Sequence, residues 1–231
     1  MDKLTGCSPI QHILEFLGAH WGHAGRTPLA LHFGDPDAET IAARTLGLCD
    51  LSALPKLGVK GKKAAAWLKE RGIEVPEDIY EVRSRGVDGI IARIGGNEFL
   101  LEDGLKGESD RTGGGVRELS EQLGSAEGGV RGGVYRVERQ EATFLLSGVR
   151  ALEPLAQVCG VDFSEVVAGR LIYTRFAVVS VAVIFAPIDG LPVYRIWVDS
   201  TYAEYLWENL SQISAELGGR VVGARWMTKE Q

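Results

Sequence analysis

The sequence predicts an α+β protein built from two related halves, each a mostly antiparallel sheet with helices on its outer face. Three observations lead there. An apolar strand that meets a glycine and turns into a helix occurs twice. Laying Gly61 on Gly148 aligns Val59-Lys60-Gly61-Lys62-Lys63-Ala64 with Leu146-Ser147-Gly148-Val149-Arg150-Ala151, and Leu68 then falls on Leu155. Each half also carries a glycine-turned ribbon. Val87, Ile90, Ala92 and Ile94 lead to Gly95-Gly96-Asn97 and return through Phe99-Leu100-Leu101, and residues 175–186 return through 192–198 after Asp189-Gly190. Finally, strands do not alternate with helices in the manner of a doubly wound parallel sheet.

The elements follow in order. Ile10, Ile13, Leu14 and Leu17 mark a brief helix, and Gly18, Gly22 and Gly25 suggest a flexible arm behind it. Asp35 supplies an N-cap oxygen and Pro36 suits the first helical position, so a helix starts there and ends near Gly47. Residues 54–59 read as the next strand. Residues 104–133, rich in Gly, Ser and charge, hold one helix at 116–123 and form the seam between halves. Residues 134–147 return to β structure and 151–159 to helix. Thr201 with Glu204 forms a capping box for a helix carrying Tyr205, Leu206, Leu210, Ile213 and Leu217, stopped by Gly218-Gly219. The expected organisation is an arm (1–26), a first half (27–112), a Gly-rich connection (113–133), a second half (134–219) and a tail (220–231).

A net charge of -6 provides no general field for phosphate backbones, which argues against a nucleic-acid partner. Cys7, Cys49 and Cys159 lie far apart without C-x-x-C spacing, the pattern of reduced thiols in the cytoplasm. The start of the chain lacks the basic-then-apolar pattern of a signal peptide. The longest apolar stretch, 176–188, falls short of the roughly 20 residues a membrane helix needs and reads as a buried strand.

The candidate chemical groups are few. His20 and His23, with His12 and His32 nearby, lack the further ligands a zinc site requires, so no metal is expected. Gly113-Gly114-Gly115 precedes a helix but carries no Walker or Rossmann pattern, and reads as linker. Ser52 and Ser147 stand outside any Gly-x-Ser-x-Gly elbow. Asp88, between Val87 and Gly89, has two readings: a carboxylate that orients a substrate amine, or a turn residue. Tyr194, Arg195 and Trp197, with Tyr202, Tyr205 and Trp207, suit a planar heterocycle with a carboxylate tail, a partner interface, or a packed core.

Gly47-Leu48-Cys49-Asp50-Leu51-Ser52, the strand through Val59, Gly61 and the helix behind it resemble the opening of the folate-binding aminomethyltransferase superfamily, which includes the glycine cleavage T protein. The likeness continues through Asp88-Gly89-Ile90-Ile91, Asn97-Glu98-Phe99-Leu100-Leu101, residues 144–155 and residues 193–210. Within that superfamily the chain is similar to γ subunits of heterotetrameric sarcosine oxidases. That similarity shows in Asp50-Leu51-Ser52-Ala53-Leu54-Pro55, Val59-Lys60-Gly61, and Tyr194-Arg195-Ile196 followed by Tyr205-Leu206-Trp207.

The resemblance implies a T-protein-like fold without the C-terminal barrel, tetrahydrofolate as cofactor, and flavoprotein amine-oxidase subunits as partners. It places Asp88 at a catalytic aspartate, and Arg195, flanked by Tyr194 and Trp197, where relatives keep the glutamate that grips the pterin. Three departures point away from transfer chemistry. Ala53 stands where T proteins carry histidine, their paired aspartates shrink to Val87-Asp88, and a donor-only guanidinium at Arg195 replaces an acceptor pair. The expectation is a γ-type subunit of an amine-oxidising complex without catalysis of its own. The alternative is a stand-alone tetrahydrofolate-dependent aminomethyltransferase, with Asp88 positioning the amine and Arg195 holding the folate glutamyl carboxylate.

Overall fold

The computed structural model describes residues 7–86, 88–105, 114–124 and 130–228. The chain opens with α1 (Gln11–Phe16), β1 (His20–Ala24), β2 (Thr27–His32), α2 (Pro36–Thr45), β3 (Gly47–Asp50), β4 (Lys56–Lys60) and α3 (Ala64–Lys69). It continues with β5 (Val82–Arg85), β6 (Gly89–Gly95), β7 (Glu98–Glu102), α4 (Val116–Gly124), β8 (Val130–Arg131) and β9 (Val134–Val137). The last stretch holds β10 (Ala142–Ser147), α5 (Leu152–Val158), β11 (Leu171–Phe176), β12 (Val179–Phe185), β13 (Val193–Val198), α6 (Ala203–Glu216) and β14 (Arg220–Val221). Val87 and Gly113 lie outside the described residues, as does much of the expected connection.

The described residues form two compact units. The first gathers 24–27 and 54–140; the second gathers 7–23, 28–53 and 141–228. Each contains a six-stranded sheet, ordered β5-β6-β7-β4-β9-β8 in the first and β11-β12-β13-β10-β3-β14 in the second. The two orders correspond strand for strand. Every pairing is antiparallel except β14 with β3.

The repeated glycine anchors this correspondence. Gly61 and Gly148 adopt φ of 128° and 110°, a left-handed region open to glycine at little cost. The Gly61 amide donates to the Asn97 carbonyl and the Gly148 amide to the Pro192 carbonyl, each at 2.9 Å. Each glycine carbonyl then accepts from the residue three further on, Ala64 or Ala151, which opens the helix. The strand before each repeat changes sheets. β3 precedes β4 in sequence but pairs with β10, whereas β9 precedes β10 but pairs with β4.

Alternation in the strands sets the two cores. In the first unit Leu57, Val59, Ile91, Phe99 and Leu101 pack with Trp67 and Leu68 of α3 and Leu119 and Leu123 of α4. In the second, Leu48, Phe144, Leu146, Val183 and Ile196 pack with Leu155 of α5 and Leu206, Trp207 and Leu210 of α6. Asp35 caps α2, accepting from the amides of Asp37 and Ala38, with Pro36 behind it as expected.

Three local expectations are corrected. Residues 20–24 form β1, paired with β2, instead of a flexible arm; Gly25 at φ 60° turns the hairpin. The α6 capping box does not form. Asp199, a charged and therefore stronger acceptor, takes both the amide and the hydroxyl of Thr201, making a one-turn 3-10 helix, and α6 starts after Tyr202. The second ribbon also gains an outer strand, β11, turned through Ala177 and Val178 at positive φ.

Candidate functional site

Tyr194, Arg195 and Trp197 lie on β13, in the interior of the second sheet. Because side chains alternate along a strand, Tyr194 faces one way and Arg195 and Trp197 the other. Tyr194 points into the apolar core, stacked on Phe185 at 5.0 Å and edge-on to Phe163 at 5.9 Å. Burial pushes its hydroxyl pKa up. The sequence-level trio is therefore split, and Tyr194 serves packing.

Arg195 occupies a cross-strand row with Leu145 of β10 and Cys49 of β3. Trp197 sits opposite Thr143 two residues along the same face. This row is enclosed: Arg195 is 4% exposed, Trp197 3%, Leu145 0% and Cys49 1%. Burial first, then the carboxylates of Asp50 and Glu39, push the Cys49 thiol up, with Arg195 pulling the other way. The thiol therefore stays protonated and unreactive at neutral pH. Glu39 is itself engaged, accepting from the amides of Phe33 at 2.6 Å and Gly223 at 2.8 Å.

The Asp50-Leu51-Ser52 motif prolongs the β3–β10 pairing. Ser52 donates its hydroxyl to Asp50, and its oxygen accepts the Thr143 amide at 3.0 Å. The Leu51 amide reaches the Thr143 carbonyl at 2.8 Å. These groups satisfy backbone polarity at the sheet's end instead of presenting a nucleophile.

Asp88 belongs to the first unit, on the turn between β5 and β6. Its Oδ2 accepts the Leu105 amide at 2.8 Å, and a Cβ added to Gly104 would collide with its carboxylate. Asp88 thus clasps the chain beyond β7. Around it lies a polar group that sequence reasoning missed. Asp103 accepts Arg85 at 3.0 Å and the Val116 amide at the start of α4 at 3.1 Å, while Lys56 pairs with Glu102 at 3.4 Å. The Lys56 and Glu102 side chains are 1% and 0% exposed. The available signal was a charge placed in phase on facing strands: Lys56 and Glu102 are direct cross-strand partners.

Among the described residues, no group of three or more His, Cys, Asp or Glu side chains could hold a metal ion. His20 and His32 instead stack on each other at 4.4 Å. Among the same residues, no helix is long and apolar enough to cross a membrane.

No protein-family model and no curated protein sequence matches the chain. Solved structures do. The glycine cleavage system aminomethyltransferase T from Bartonella henselae aligns with TM-score 0.72 at 18% identity, over 95% of this chain and 60% of that one. A chain of the heterotetrameric sarcosine oxidase from Corynebacterium sp. U-96, in complex with pyrrole 2-carboxylate, aligns with TM-score 0.61 at 18% identity, over 98% of both. The chain therefore has the T-protein-like α+β fold and spans about 60% of the length of the T protein it matches.

Proposed function

We propose that this chain is a T-protein-like subunit, of the sarcosine oxidase γ type, that assembles or shapes an amine-oxidising complex without chemistry of its own. The observation that carries this reading is the enclosed guanidinium of Arg195, within a fold shared with a chain of the heterotetrameric oxidase over 98% of both chains. Flavin, and any folate, then belong to the other subunits.

The residues expected to meet tetrahydrofolate support the same reading. Arg195, Trp197 and Tyr194 are each 4% exposed or less, and a guanidinium offers donors alone to a pterin edge that itself presents donors. The arrangement does not fit the pterin. Asp88 spends an oxygen on the Leu105 amide. A reducing cytoplasmic setting suits the exposed free thiol of Cys7.

The test is co-expression with the flavoprotein amine-oxidase subunits of the source organism. Co-purification in fixed stoichiometry, with a raised melting temperature, is expected. A chain that stays monomeric with unchanged melting overturns the reading. Calorimetry with tetrahydrofolate separates the alternative: micromolar binding abolished by Arg195→Ala identifies an aminomethyltransferase, and no heat is expected.

A further inference from the structure

The two copies of the strand–glycine–helix turn share a backbone but are decorated differently. In the second unit the positions around Gly148 are Ser147, Val149, Pro192, Val193 and, across from Ser147, Gly47. Here the chain closes on itself. The amides of Val149 and Arg150 donate to the carbonyls of Arg44 and Thr45, and the Arg150 side chain runs to Glu153 and the Leu217 carbonyl.

Around Gly61 the corresponding positions are Lys60, Lys62, Asn97, Glu98 and, across from Lys60, Tyr135. They surround a pocket of about 620 Å³ that also includes Gly95, Gly96 and Gly133. That volume falls within the range of small-molecule sites. Glu98, the one acidic group in the lining, is neutralised on both oxygens, by Arg139 at 2.6 Å and by Lys60 at 3.2 Å. Lys62 makes no ion pair among the described residues, and its charge is left over in a chain whose net charge is negative. Lysines at strand ends are ordinarily just solvated. What distinguishes this corner is that a cavity, an excess of cations, an amide side chain and a half-exposed aromatic wall converge where the sister turn is plugged.

We propose that this pocket is a binding site for a small anion bearing clustered phosphate or carboxylate groups. Lys60 and Lys62 supply the charge, Asn97 a directional donor, and the glycine-lined floor the room for close approach. The assignment is independent of the subunit role, since it concerns the first unit alone.

The experiment is an NMR titration of the isotope-labelled full chain with tripolyphosphate and, separately, with citrate. Saturable shifts confined to residues 60–62, 95–98 and 133–135 are expected with at least one probe, and which probe responds tells phosphate from carboxylate. Lys60→Ala/Lys62→Ala, at exposed positions, should raise the apparent Kd at least tenfold with melting unchanged. Gly96→Phe should abolish binding by filling the pocket, since a Cβ there meets nothing within 4 Å. No localised shift with either probe, or shifts of equal midpoint in both variants, would overturn the proposal.

Discussion

The two units set the same strand order around the same glycine turn and solve the sheet's second face in opposite ways. Aligning the turns places Lys56 and Glu102 of the first unit over Thr143 and Trp197 of the second. The first buries an ion pair there; the second buries an indole beside a hydroxyl. One backbone frame thus accepts either a paired charge or an aromatic group at one site, provided that each buried polar atom finds a partner. The difference also shows how each unit fails when altered, because a broken ion pair leaves a stranded charge while a trimmed aromatic leaves a void.

The largest effects test that contrast. Glu102→Ala should destabilise the first unit by about 3–5 kcal/mol by stranding the Lys56 ammonium, whereas Lys56→Met/Glu102→Leu should restore most of the loss; urea melts measure both. Trp197→Ala should cost a similar 3–5 kcal/mol or so in the second unit through the void left opposite Thr143, with no double variant of comparable repair. If the Lys56/Glu102 double variant is as unstable as Glu102→Ala, the paired-charge account of the first unit is wrong.

Next come the two glycines. Gly61→Ala and Gly148→Ala should each cost about 1–3 kcal/mol, because the new Cβ meets the Gly133 carbonyl in one case and the Thr45 carbonyl in the other at a positive φ. Equal penalties mark the turns as equivalent; a neutral Gly61→Ala would break the correspondence. Asp35→Ala should cost about 1 kcal/mol by uncapping α2 of the second unit.

The smallest effect is on acid stability. Hydrogen bonds from the Asp78 amide and Arg83 hold Glu81 of the first unit below the usual carboxylate range, and those from Thr201 do the same for Asp199 of the second. Each folded-state pKa lies below the unfolded one. The stabilisation is therefore complete above the ordinary carboxylate pKa and lost as pH falls through the folded value. Asp199→Asn should flatten the acid limb of the melting curve slightly, and Glu81→Gln likewise. A steeper limb in either variant contradicts the assignment.

How much of this was legible in the residues depends on the range of the interaction that decides it. The Gly61 and Gly148 turns, the Asp35 cap and the Gly95-Gly96-Asn97 hairpin are local, and the alphabet of turn residues declares them. The separation of Tyr194 from Arg195 was also legible, since adjacent strand residues face opposite ways. The Asp199 cap was missed because Thr201 and Glu204 offered a competing local signal that a nearby carboxylate outbid. The Lys56–Glu102 pair was hidden for a different reason: its strand phase is that of a solvated face, and only tertiary burial makes it interior. The exchange of β3 and β9 between sheets leaves no local trace, as each strand carries the same alternation whichever neighbour it joins.

That exchange has a bearing on synthesis at the ribosome. Ser147 reaches back to Gly47 across a hundred positions, so β3 emerges long before the strand that will hold it. The first sheet comes from one uninterrupted stretch, 56–137, whereas the second must wait for β10 to recover β3 from upstream of that stretch, so the sheets do not coincide with the two sequence halves. A gene cut between them would leave each fragment with one foreign strand and one missing one.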